Sequence, residues 1–355
     1  MSSGMRSLFH RGLNNKMKKY PLFIIISIIL LIATGVEAQT EHLIAGRTMG
    51  TTYHITVVTG SSVMPGDLKA KIDERLEAIN HVFSTYINDS EISRFNAFRA
   101  AGEKFAVSAD FIEVMKVGRK IYRLSEGAWD GTVNPLVDLW GFGPTHRQPR
   151  KPPENQIKTL MQTIGFDRIQ ITEPNFLVKN LATVTLDLNS IAKGFAVDRV
   201  SALLAAAGYK NYLVEIGGEV YAAGVRADGK NWRVGINRPK QDAAINEVYK
   251  AISLADRALA TSGDYRNFFK IGGVRYSHVI DPRSGYPVSN GVVSVSIIAG
   301  NCTLADGLAT AIMVMGPEKG IQLVSQLNNV ECFIVVENPD GRLLDFYSPG
   351  FAIPK

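Results

Sequence analysis

Between residues 212 and 254 four short strand patterns follow one another, at 212–216, 220–225, 232–236 and 248–254, with no helical spacing between them. Strands joined so closely pair antiparallel, because a parallel pair needs a crossover of a dozen residues or more. Further strand patterns lie at 51–58, within 169–188, at 292–298, and around Phe333 and Leu344. Helical spacing marks 65–82 (Leu68, Ile72, Leu76, Ile79), 109–125, 191–207 closed by Gly208, 303–315 and 317–327. The alternation of strand runs and helices predicts an α+β fold, with mixed, largely antiparallel sheets and helices packed on one face. At 355 residues, 46% hydrophobic and 20% charged, the chain has material for a substantial core and two lobes around one cleft. The Pro-, Arg- and Lys-rich stretch 143–156 reads as a surface loop rather than a domain boundary.

The first 38 residues stand apart. Lys16, Lys18 and Lys19 precede an apolar run from Leu22 to Ala33, followed by Val36-Glu37-Ala38. This is the pattern of a secretory signal cleaved after a small residue, and the run falls short of the roughly 20 residues of a comfortable membrane span. The expected arrangement is a signal peptide over 1–38 and one domain over 39–355, exported to the periplasm or the outer face of the inner membrane. An uncleaved segment would instead tether the chain to the membrane. Cleavage removes five cations (Arg6, Arg11, Lys16, Lys18, Lys19) and one acid (Glu37), so the net charge falls from +6 to +2. That balance argues against a nucleic-acid partner. Cys302 and Cys332 have no Cys-x-x-Cys spacing, and their number alone does not decide between a disulfide and buried thiols.

Five segments carry side chains suited to chemistry, and each has a plainer alternative. Thr48-Met49-Gly50-Thr51 is a turn whose small residues admit a ligand, or simply the entry to a strand. Asp187-Leu188-Asn189-Ser190-Ile191-Ala192-Lys193-Gly194 leads into a helix whose free N–H groups suit an anion, with Lys193 adding charge, or it is a capped helix start. Glu215-Ile216-Gly217-Gly218-Glu219 reads as a hairpin turn or a close approach to a ligand. His278, before the Asp281-Pro282 turn, has the near-neutral pKa of a general base, although a lone histidine is often structural. Asp306 and Thr310 lie one helical turn apart and offer two hard oxygen ligands to a cation such as magnesium, or a dipole-favoured Asp and a buried Thr.

In order and spacing these segments resemble the bacterial ApbE family of FAD:protein FMN transferases. The resemblance also takes in Ser84-Thr85-Tyr86, Gly127-Ala128-Trp129-Asp130, and Asn134-Pro135-Leu136-Val137 with Leu139-Trp140-Gly141-Phe142. It implies contacts to FAD from Met49, Tyr86, Ala128, Trp129, Asp130, Asp187, Lys193 and Ile280, and a magnesium ion held by Asp306, Thr310 and the carbonyl of Ser190. It implies transfer of FMN from FAD to a threonine of another protein with loss of AMP, His278 being the candidate base and Asp306 sharing that duty or orienting the metal. The implied acceptors are flavoprotein subunits of membrane redox complexes. Hydrolysis of FAD to FMN and AMP, and FAD binding without catalysis, are the alternatives. Family members often carry a lipobox cysteine, which this chain lacks.

Overall fold

The computed structural model describes residues 39–64, 66–143, 150–244, 247–265 and 267–351. The segment 1–38 read as an export signal lies outside the described residues, as does Pro65 at the predicted start of the first helix. Eight strands form one sheet whose spatial order is their order along the chain: Thr40–Thr48, Thr51–Thr59, Tyr212–Ile216, Glu219–Ala223, Arg257–Gly263, Val292–Ala299, Glu331–Glu337 and Leu343–Tyr347. Every neighbouring pair is antiparallel; short turns join Thr40–Thr48 to Thr51–Thr59, Tyr212–Ile216 to Glu219–Ala223 and Glu331–Glu337 to Leu343–Tyr347, and longer insertions join the other pairs.

Both faces of the sheet are covered. Cys332 and Ile334 point into the main core while Phe333 and Val335 point into a second cluster, the two-residue period of a strand. Val292–Ala299 is buried at all eight positions, which is why it reads as an unbroken apolar run rather than an alternation. Helices Leu68–Phe83, Ala109–Leu124, Asn189–Ala206 and Cys302–Met315 supply the main core on one face. The hairpin Trp232–Asn237 with Val248–Leu254 covers the other. A third cluster, with Leu136, Trp140, Ile157 and Ile280, is built by helices Asn134–Leu139 and Glu154–Met161 and by the short hairpins between residues 268 and 287.

Three of the elements that the sequence does not announce bear on the site. Thr40–Thr48 is an edge strand with Leu43 exposed, so its apolar positions do not alternate cleanly. It makes Thr48 to Thr51 a hairpin turn rather than a strand entry, with Met49 at φ +48° and Gly50 at φ +73°. Glu154–Met161 is a two-turn helix that begins in the last three residues of the stretch read as a loop and runs past it, too short for a period to show. Arg257–Gly263 lies in the middle of the sheet yet lacks β-branched apolar residues. Its Ala258 and Ala260 are small because the helix Cys302–Met315 packs on that face.

That helix and Asn189–Ala206, here the Asp306 helix and the Lys193 helix, cross at Gly194. A methyl group on Gly194 would lie 2.4 Å from the Cys302 carbonyl oxygen and 2.8 Å from Asp306 Cβ, so only glycine permits the approach. One turn on, Asp198 accepts the Cys302 and Thr303 backbone N–H groups at 2.7 and 2.8 Å, and Asn301 Oδ1 accepts that of Leu304 at 2.9 Å. The first turn of the Asp306 helix is thus capped partly by its neighbour. Gly194→Ala should lower stability by about 2 kcal/mol through overpacking. In an uncrowded helix the same change would stabilise by roughly 0.5–1 kcal/mol, so the direction of the urea midpoint shift decides whether the crossing is as tight as described.

Candidate active site

A cleft of about 720 Å³ separates the main core from the third cluster, a volume typical of small-molecule sites. Its inner end is made of oxygen atoms. Asp306 is only 3% exposed, and its Oδ2 accepts the Gly194 N–H at 3.0 Å. Within a helix that N–H is directed at the carbonyl four residues back, which is Ser190. The Asp306 carboxylate and the Ser190 carbonyl therefore converge on one amide. The Ser190 hydroxyl is occupied elsewhere, accepting Trp129 Nε1–H at 2.9 Å. One turn along from Asp306, Thr310 Oγ1 lies 3.1 Å from Ser262 Oγ on strand Arg257–Gly263.

Lys193 Nζ pairs with Glu219 Oε1 at 2.6 Å. Glu219 is 3% exposed and its other oxygen has no hydrogen-bond partner among the described residues. Burial pushes the Asp306 and Glu219 carboxyls above the usual carboxylate range, with Lys193 pulling both back. Burial alone would lower the Lys193 ammonium, but Asp306 and Glu219 hold it above the usual lysine value. Two carboxyl groups thus face one ammonium, and one of their oxygens has no hydrogen-bond partner among the described residues. A hard divalent cation fits such an all-oxygen donor set. Among the described residues no three His, Cys, Asp or Glu side chains cluster as a metal site, so a cation here would draw on hydroxyl and carbonyl oxygens beside Asp306.

The flanking segments are tied to this end. Asp187 N–H donates to the Gly131 carbonyl at 2.8 Å, and Asp187 Oδ1 accepts Asn189 N–H at 2.9 Å before the Lys193 helix begins. Burial raises the Asp187 carboxyl. The Asp130 carboxylate is turned inward, accepting from Thr132 N–H and Oγ1–H at 2.8 and 2.6 Å and from Phe166 N–H at 3.1 Å. Its side chain is spent on fixing the loop, and burial raises it as well. Ala128 and Trp129 are buried in the wall, Ile280 lines the opposite side, and Tyr86 stands 76% exposed at the rim. Phe142 and Phe269, stacked with centroids 5.0 Å apart, add an aromatic surface. Met49 is the exception among the predicted contacts: it is not one of the lining residues and packs partly buried against the main core.

His278 lines the same cleft. Its Nδ1 lies 3.0 Å from the Asn267 carbonyl, which also accepts the His278 backbone N–H at 3.2 Å. Since a carbonyl only accepts, Nδ1 carries the proton and Nε2 keeps its lone pair. Burial lowers the imidazole pKa more than the Asn267 carbonyl and Asp264 raise it, and Arg275 lowers it further. The ring is neutral near pH 7.

Glu219 and Ser262, and the aromatic pair Phe142 and Phe269, are site residues to which the sequence by itself assigns no role. Glu219 stood in a segment that reads equally well as a turn, which it also is, while Ser262 belongs to the unread central strand. Cys302 and Cys332 are buried free thiols.

The sequence profile of the ApbE family matches residues 49–334. An FAD:protein FMN transferase of Vibrio cholerae serotype O1 is 42% identical over 321 residues, covering 90% of this chain and 94% of that protein. One from Haemophilus influenzae is 36% identical over 331 residues, covering 92% and 95%. The solved structure of the flavin transferase ApbE from Vibrio cholerae matches with a TM-score of 0.79 at 41% identity, covering 88% of this chain and 98% of that one. The apo form of the Pseudomonas stutzeri flavinyl transferase ApbE matches with a TM-score of 0.79 at 37% identity, covering 88% and 96%. On profile, near full-length identity and fold together, this chain belongs to the ApbE family.

Proposed function

We propose that this chain moves the FMN half of FAD onto a threonine hydroxyl of an acceptor protein and releases AMP. The observation that carries the reading is the joining, in one cleft, of a buried oxygen cluster around Asp306 with a histidine whose Nδ1 is held by the Asn267 carbonyl, which leaves Nε2 as its acceptor nitrogen. The names of the relatives support the flavin substrate and the protein acceptor.

The residues divide the work by position. The aromatic pair Phe142 and Phe269, with Trp129 and Ile280, offers an apolar wall to the isoalloxazine ring. The start of the Lys193 helix and the Lys193 ammonium face the pyrophosphate. Asp306, Thr310 and the Ser190 carbonyl would hold magnesium, which supplies charge neutralisation at the phosphate oxygens when bound. His278 Nε2 takes the proton of the attacking hydroxyl. The new bond joins threonine Oγ to the FMN phosphorus. The bond from that phosphorus to the bridging oxygen breaks, and its electron pair leaves with AMP.

Water in place of threonine would give FMN and AMP by the same residues, and binding without turnover would use the wall alone. Incubation of the purified chain with FAD, magnesium and a candidate acceptor, read by intact mass and AMP release, separates the three. An FMN adduct supports transfer, AMP without adduct supports hydrolysis, and FAD bound unchanged supports a binding module. We further propose that the acceptors are flavoprotein subunits of membrane redox complexes, reached outside the cytoplasm after export.

Asp306→Ala should lower AMP release by on the order of 100-fold or more, the loss of a few kcal/mol at the phosphoryl group, while FAD binding measured by flavin fluorescence changes little. Undiminished turnover would remove Asp306 from the reaction. For His278, kcat/KM should fall only as pH drops below the usual histidine value, because the lowered pKa keeps the base neutral until then. His278→Gln should lose that acidic limb together with most of the rate, and a limb that survives the substitution would assign it to another group. If 1–38 is a cleaved signal, the exported chain has a mass that starts at Gln39; an exported chain retaining the segment would show a tether instead.

A further inference from the structure

Glu219 begins a central strand immediately after the Gly217-Gly218 turn, and both glycines have positive φ, +60° and +100°. The turn leaves a passage for the lysine stem: a methyl on Gly217 would stand 3.4 Å from Lys193 Cδ and 2.8 Å from Thr51 Cγ2. The carboxylate is therefore set by the sheet and the ammonium by a helix, and the two meet at 2.6 Å at the cleft. Lysine is a flexible, strongly hydrated charge that stays in one place only when something holds it. Its side chain here is 30% exposed, against 3% for Glu219, and it lines the cleft.

The pair differs from an ordinary buried ion pair in two respects. Glu219 Oε2 is buried and unpartnered among the described residues, and leaving such an acceptor unsatisfied is costly, which a purely structural pair would avoid. In addition, the Asp306 carboxylate attracts the same ammonium. Without Glu219, Lys193 would turn toward Asp306, withdrawing charge from the ligand and occupying the oxygen that the reaction needs.

We propose that Glu219 is a positioning residue that holds Lys193 away from Asp306 and directs its ammonium at the phosphate groups of the bound dinucleotide. This rests on the transferase reading above. The residue acts through Lys193, so its substitution should alter turnover more than substrate binding and should have no effect where Lys193 is already gone.

The test is a double-mutant cycle with Glu219→Gln, Lys193→Met and the double variant, following AMP release from FAD in the presence of magnesium and acceptor. Glu219→Gln should lower kcat roughly 10- to 100-fold, the scale of a misplaced reacting group, with the KM for FAD moved less than about threefold. The double variant should be no slower than Lys193→Met alone. Wild-type kcat in a folded Glu219→Gln protein, or effects that multiply in the double variant, would overturn the inference. Should Glu219→Gln not fold, Glu219→Asp carries the test, since it keeps the charge one methylene short; the same kcat loss is expected, and wild-type turnover overturns the inference. Absence of AMP release by the unaltered chain would overturn the transferase reading and this inference with it, whereas wild-type turnover in the Glu219 variants overturns this inference alone.

Discussion

At Gly194 two helices come to backbone distance, and the rest of the site follows from that approach. With no side chain between them, Asp306 can reach across and accept the Gly194 N–H, while Asp198 reaches the other way to the first N–H groups of the Asp306 helix. The two carboxylates satisfy backbone donors of the opposite helix, so both helices are locked in rotation and in height. Rotation decides which face of each helix meets the cleft. Height decides that the Ser190 carbonyl and the Asp306 carboxylate share one amide rather than lying a turn apart.

The sheet supplies what the helix pair lacks. Glu219 and Ser262 come from strands that are neighbours in the sheet but lie some forty residues apart in the chain, and each presents a polar side chain at the inner end of the cleft. Since the strand order in space equals the order in sequence, every helix is an insertion between strands, and the helices collect on one face because the other is closed by the hairpin Trp232–Asn237 with Val248–Leu254. The third cluster then stands across the cleft, and His278 comes from the link between its two short hairpins rather than from the main body. Oxygen ligands are thus held by rigid elements, and the base stands on a separate support that faces them.

Charge explains why the arrangement tolerates so much burial. Asp306 and Glu219 sit where a carboxylate is disfavoured by desolvation, and Lys193 offsets only part of that cost. Two buried carboxyl groups at the inner end of a cleft are expensive for a fold and useful for a site that binds a cation and then a phosphate. Asp130 shows the opposite solution: its carboxylate is as buried, but three donors satisfy it, and it serves the loop rather than the cleft.

The sequence by itself determined the α+β class, the antiparallel pairing, most helices to within a few residues, and the segments that would carry chemistry, because those follow from local periodicity, turn residues and short-range chemistry. It also put Asp306 and Thr310 on one helix face, since a four-residue spacing is a local property. Only the tertiary structure decided that the Asp130 side chain is spent internally, that Met49 sits in a hairpin turn off the cleft wall, and that Glu219 and Ser262 join Lys193 and Thr310. Strand Arg257–Gly263 is buried through contacts its own small residues do not announce. The division has one physical cause: hydrogen bonds and packing between neighbours in the chain leave a periodic trace in sequence, whereas a contact between residues 26 or 112 positions apart, such as Lys193 with Glu219 or Gly194 with Asp306, exists only once the sheet and the helix crossing have brought them together.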